Sequence, residues 1–96
     1  MELGLKGKTA VITGGSGVIG QGLVLAYASE GVNVISASRD MTKGAELEKR
    51  AQDQGFAGRV VAVKTDITDP ASVAAMMERC HDEFGPVDIL VNNAGG

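Results

Sequence analysis

Apolar and polar positions alternate along this chain in blocks, with four short apolar runs separated by three longer segments of helical spacing. The first run, Lys8 to Thr13, is apolar without clean alternation, as expected of a strand buried on both faces. Val32-Asn33-Val34-Ile35-Ser36, Val60-Val61-Ala62-Val63 and Asp88-Ile89-Leu90-Val91-Asn92 read as three further strands. Between them the apolar period is that of a helix. From Val18 to Glu30, Ile19, Leu23, Ala26 and Tyr27 share one face, and Gly31 is placed to end the helix. The segment from Thr42 to Gln54 is polar, with Leu47 and Ala51 as its few apolar contacts and Gly55 behind it. Its Glu46, Glu48 and Asp53 read as a solvated face. Asp69-Pro70 opens the last helix, with Asp as N-cap and Pro at the first helical position. Val73, Met76, Met77, Cys80 and Phe84 line its apolar stripe, and Gly85-Pro86 stops it.

The order βαβαβαβ predicts a parallel sheet with helices on its faces and right-handed crossovers. The expected strand order is 3-2-1-4, the N-terminal half only of a Rossmann-type doubly wound parallel α/β sheet. No linker, repeat or low-complexity stretch interrupts it. Residues 1–96 therefore read as the N-terminal part of a single domain.

The chemistry is concentrated between the first strand and the first helix, in Thr13-Gly14-Gly15-Ser16-Gly17-Val18-Ile19-Gly20. Gly15, Gly17 and Gly20 spell G-x-G-x-x-G in a strand–turn–helix context. A tight turn needs backbone freedom, and a pyrophosphate approaches the backbone only where no Cβ blocks it. The N–H groups and dipole of the helix start then favour an anion. In such a sheet, ligands bind outside the carboxyl ends of the strands, where the order reverses. The residues there are Gly14 to Ile19, Ser38-Arg39, Asp66-Ile67 and Asn92 to Gly95. An acid after the second strand would hold a ribose 2′-hydroxyl. Here Ser38-Arg39 stands in that place, and an arginine fork suits a 2′-phosphate. Asp40, turned inward, is the competitor. Asp66 has two open readings, an acceptor for an adenine amino group or a cap on its own turn. Asn92 and Asn93 could each bind cofactor or tie neighbouring loops together, and the two roles are compatible.

Composition narrows the partners. With 96 residues, a net charge of −3 and no basic block, the chain is ill suited to nucleic acid or an anionic membrane. Cys80 is the only cysteine, so an internal disulfide is impossible, which suits a reducing cytoplasm. Met1 to Lys6 lacks the apolar core of a secretory signal, and no apolar run approaches the ~20 residues of a membrane helix. Cys80 and His81 point to different faces of their helix. Neither has ligand spacing or a nucleophile's partners, so no metal site is expected.

The glycine turn, Asp66-Ile67-Thr68-Asp69 and Asp88-Ile89-Leu90-Val91-Asn92-Asn93-Ala94-Gly95 together resemble the short-chain dehydrogenase/reductase family over nearly the whole chain. The segment from Asp69 to Gly95 looks like that of 3-oxoacyl-carrier-protein reductases and their relatives. The resemblance implies an oxidoreductase that moves a hydride between NADP(H), or less favourably NAD(H), and a carbonyl or alcohol substrate. Carried over by position, Gly14, Gly15, Ser16, Gly17, Val18 and Ile19 would hold the pyrophosphate and adenosine ribose. Ser38 and Arg39 would hold the 2′-phosphate, and Asp66 and Ile67 would flank adenine. Asn93, Ala94 and Gly95 would line the ribose and the approach to nicotinamide. Members of this kind are expected to form homo-oligomers.

Two departures stand out. Val18 occupies the second glycine of the family's common T-G-x-x-x-G-x-G turn, whereas Gly14, Gly17 and Gly20 fit the T-G-x-x-G-x-x-G spacing of its extended branch. The family's catalytic serine and Tyr-x-x-x-Lys pair follow the Asn-Asn-Ala-Gly strand. Here the only tyrosine is Tyr27, with Gly31 four residues on, so no catalytic residue is assigned. The alternative is a dinucleotide-binding module or fragment without catalysis.

Overall fold

A computed structural model describes residues 4–93. Its elements run β1 (Thr9–Thr13), α1 (Val18–Ser29), β2 (Asn33–Ser38), α2 (Met41–Asp53), β3 (Val60–Lys64), α3 (Pro70–Phe84) and β4 (Ile89–Asn92). The four strands form one parallel sheet in the order β3-β2-β1-β4. This is the α/β Rossmann-type topology expected from the alternation of elements.

The sheet separates two cores. On one face Ala10, Ile12 and Val34 pack with Val24 and Ala28 of α1 and Leu47 and Ala51 of α2. On the other, Val11, Ile35, Ala37 and Val61 pack against Met76 and Cys80 of α3. Every residue of β1 is buried, which explains its unbroken apolar run.

The helix boundaries follow local chemistry. Asp40 caps α2, its Oδ1 accepting from Lys43 N–H at 3.1 Å. Asp69 caps α3 by accepting from Ala71 N–H at 3.0 Å, with Pro70 in the first turn. Gly31, at φ +89°, ends α1 in a conformation that side chains resist.

The structure corrects four expectations. The inner face of α1 is not Ile19, Leu23, Ala26 and Tyr27 but Gly20, Val24 and Ala28. Ile19 is 71% exposed, while Leu23 and Tyr27 only flank the core. Met77 is 38% exposed and lies outside the α3 core formed by Met76 and Cys80. Glu48 is not on a solvated face. Its Oε2 accepts from the backbone N–H of Ala62 at 2.7 Å, on the open edge of β3. The second strand also reaches Ser38, two residues beyond the expected end, because Ala37 and Ser38 continue the ladder to Thr13 and Lys64.

Candidate functional site

The carboxyl ends of the four strands are tied together by the residues that follow them. Gly14 N–H donates to Ala37 O at 2.9 Å, linking β1 to β2. Thr65 N–H donates to Ser38 O at 2.8 Å, linking β2 to β3. On the other side, Thr13 Oγ1 donates to Asn92 Oδ1 at 3.0 Å and accepts from Asn93 N–H at 3.1 Å. The amide of Asn93 donates to Gly14 O at 3.3 Å. Asn93 therefore ties β4 to the glycine turn, one of the two roles read for it. Ala94 and Gly95 lie outside the described residues.

The glycines of the turn differ in what surrounds them. Gly14 has φ +67°, which only glycine adopts without strain. A Cβ on Gly15 would collide with Ser36 Oγ beneath the turn. A Cβ on Gly20 would collide with Gly14 O, so α1 approaches the turn only because this position is glycine. A Cβ on Gly17 would meet nothing closer than Gly14 O, at an ordinary 3.6 Å. The fold needs the first three as glycine and has space at the fourth. Gly17 is the N-cap of α1 and supplies no side-chain cap. The first N–H groups of α1 thus lack a capping side chain at an open position, an arrangement that suits an anion.

Around this turn, Ser16 is half-buried, its carbonyl accepting from Gln21 Nε2 at 2.7 Å. Val18 and Ile19 are 90% and 71% exposed, so two apolar side chains stand at the mouth of the turn. Below it, Ser36 is 1% exposed and its hydroxyl has no hydrogen-bond partner among the described residues.

The second and third strand ends meet through a charge pair. Arg39 Nη2 donates to Asp66 Oδ1 at 2.8 Å. The same oxygen accepts from Thr68 Oγ1 at 2.6 Å and Thr68 N–H at 2.9 Å, while Asp66 N–H donates to Ser72 Oγ at 2.9 Å. These bonds, the Thr68 hydroxyl first and then the Arg39 guanidinium, hold the Asp66 carboxyl down at about 2. Asp66 thus caps its own turn, as one of its two readings has it. Asp40 caps α2 and so is not turned inward as a competitor for Arg39. Ser38 is buried, and Ile67 is exposed beside the pair.

Arg39, Lys64, Thr65, Asp66 and Ser72 line a cleft of about 580 Å³ at these strand ends. Lys64, Ser72 and Thr68 carried no signal in the sequence as site residues; the first two are brought there by the ends of β3 and the start of α3. A second cleft, about 610 Å³, lies at the opposite end of β3, lined by Arg59, Arg79 and Glu83 among others. Its arginines are spent on Glu83, at 3.3 and 3.2 Å. Among the described residues no group of three or more His, Cys, Asp or Glu could hold a metal ion, and no helix is long and apolar enough to cross a membrane.

Comparison with known proteins gives a consistent picture. Residues 8–96 match the short chain dehydrogenase family. The oxidoreductase UcpA of Escherichia coli K12 is 45% identical over 92 residues, covering 95% of this chain and 34% of that protein. L-Sorbose reductase from Gluconobacter frateurii, solved with NADPH and L-sorbose, superposes with a TM-score of 0.90 at 38% identity, over all of this chain and 36% of that one. Menthone neomenthol reductase from Mentha piperita superposes with a TM-score of 0.82 at 42% identity, over 93% of this chain and 32% of that one. The chain thus spans about a third of the length of these relatives. On a family match that begins one residue before β1 and runs through β4, the chain belongs to the short chain dehydrogenase family.

Proposed function

We propose that the whole protein transfers a hydride between NADP(H) and a carbonyl or alcohol, and that residues 1–96 supply the cofactor-binding half of one Rossmann domain. The observation that carries this reading is the open start of α1 at Gly17. A Cβ added at Gly17 would meet nothing closer than Gly14 O at 3.6 Å, so the approach to the first N–H groups of α1 is open there. Gly14 to Ile19 would hold the pyrophosphate and the adenosine ribose there. Ser38 and Arg39 would meet a 2′-phosphate, with Asp66 and Ile67 beside adenine. Asn93, Ala94 and Gly95 would lead toward nicotinamide. When bound, the dinucleotide supplies or accepts the hydride.

Two further points support NADP(H). Arg39 stands where an NAD site would carry an acid, and one solved relative was crystallised with NADPH. Among the described residues none is proposed as catalytic. Tyr27 packs against the α1 core near the amino end of β2, its carbonyl accepting from Val32 N–H. The same reading places the protein in the cytoplasm, as a homo-oligomer acting on a small molecule.

Titration of the whole protein with NADPH and NADH tests the assignment. NADPH should bind more tightly, and Arg39→Ala should weaken it about tenfold or more, through loss of a charged hydrogen bond. Equal or tighter binding of NADH would overturn it.

A further inference from the structure

We infer that Lys64 is a second cation of the 2′-phosphate site and, together with Arg39, decides between the two dinucleotides. The inference rests on the NADP(H) reading above. Lys64 is the last residue of β3 and is paired in register with Ser38, the last residue of β2. Registered neighbours in adjacent strands project to the same side of a sheet. Ser38 and Lys64 therefore stand side by side at the carboxyl edge, with Arg39 next in the chain. Arg39 and Lys64 both line the 580 Å³ cleft.

The two cations differ in what they offer to an arriving phosphate. Arg39 is already committed to Asp66 at 2.8 Å. Asp66 stays ionised at neutral pH, because its carboxyl is held at about 2. Seen from the cleft, the pair is a dipole of nearly zero net charge. Lys64 is exposed and makes no ion pair among the described residues. It is the uncompensated positive charge on the cleft. A phosphate dianion therefore gains from Lys64 directly. From Arg39 it gains only what remains after competition with Asp66. This follows from charge placement and does not depend on how the adenine is held.

Adenosine 2′,5′-bisphosphate and 5′-AMP are the probes, since they differ only in the 2′-phosphate. Their affinity ratio on the whole protein isolates that group from adenine and ribose contacts. Wild type should favour the bisphosphate. Lys64→Gln should cut the ratio about twofold to fivefold, the range of an exposed charge contact, and Lys64→Arg should restore it. The wild-type ratio should also fall with added salt, and fall less in Lys64→Gln. A wild type that favours the bisphosphate, with an unchanged ratio in Lys64→Gln, would overturn the role of Lys64 and leave the NADP(H) reading standing. So would an equal loss of both probes. A wild type with no preference for the bisphosphate would overturn the NADP(H) reading, and this inference with it.

Discussion

A methyl group added at Gly17 would touch only Gly14 O, at 3.6 Å, whereas one added at Gly20 would collide with that same oxygen. Substitution at the two sites should therefore separate folding from binding. Gly17→Val should leave a folded protein, losing no more than about 1–2 kcal/mol from an apolar N-cap, while dinucleotide affinity falls at least about tenfold. Gly20→Ala should cost about 1–3 kcal/mol, because the turn must move to admit the methyl group. Thermal melts by circular dichroism and a cofactor titration measure both. Normal binding by a folded Gly17→Val protein would refute the cradle. Asp66 offers a second test at this scale. Its carboxyl lies below the ordinary 3.8, so the stability it contributes is complete above that value and is lost as pH falls through about 2. NMR titration of its carboxyl carbon should show this low midpoint, and Arg39→Ala should raise it. The residue types at these positions were legible in the sequence, but not their partners. Nothing in the order of residues shows that Arg39 pairs with Asp66 rather than with Asp40, or that Ser36 lies unpaired under Gly15.

Among the elements, the strands were the easiest to read, because parallel strands covered on both faces appear as unbroken apolar runs. The start of α3 at Asp69 follows from capping chemistry that is local in sequence, whereas the cap of α2 by Asp40 does not show in the expected start at Thr42. The inner face of α1 was misread for a physical reason. Large apolar side chains mark the face that has most to bury, but the face closest to the sheet is built from Gly20, Val24 and Ala28. Small residues let the helix approach, and the larger Leu23 and Tyr27 pack at its flanks. Glu48 was misread in the opposite sense, as one acid among several in a charged helix. It covers an N–H on the β3 edge, which has no neighbouring strand among the described residues. Glu48→Ala should destabilise the protein by about 1 kcal/mol, the net worth of one hydrogen bond, and expose a backbone donor on an edge strand. Urea unfolding would check the first effect. A midpoint unchanged from wild type would mean that water replaces the carboxylate without loss.

At the scale of the molecule, the sheet's two edges are unequal. β3 is guarded by Glu48 and flanked by α2, whereas β4 has β1 on one side and no strand on the other among the described residues. Along β4 the residues alternate between half-buried Ile89 and Val91 and exposed Leu90 and Asn92. Leu90 is 65% exposed on an edge strand, and Val18 is 90% exposed at the mouth of the glycine turn. An apolar edge of this kind is a template for another strand or another chain. These 96 residues expressed alone should therefore associate or aggregate, or remain loosely packed. The core of Val11, Ile35 and Cys80 should protect better, since these residues are fully buried; the same burial pushes the Cys80 thiol up in pKa. Size-exclusion chromatography with hydrogen exchange decides the matter: β1 and β2 should exchange slowly and Ile89 to Val91 quickly. A sharp monomer peak with strong protection from Ile89 to Val91 would show that β4 is a finished edge and that the exposed leucine needs no cover.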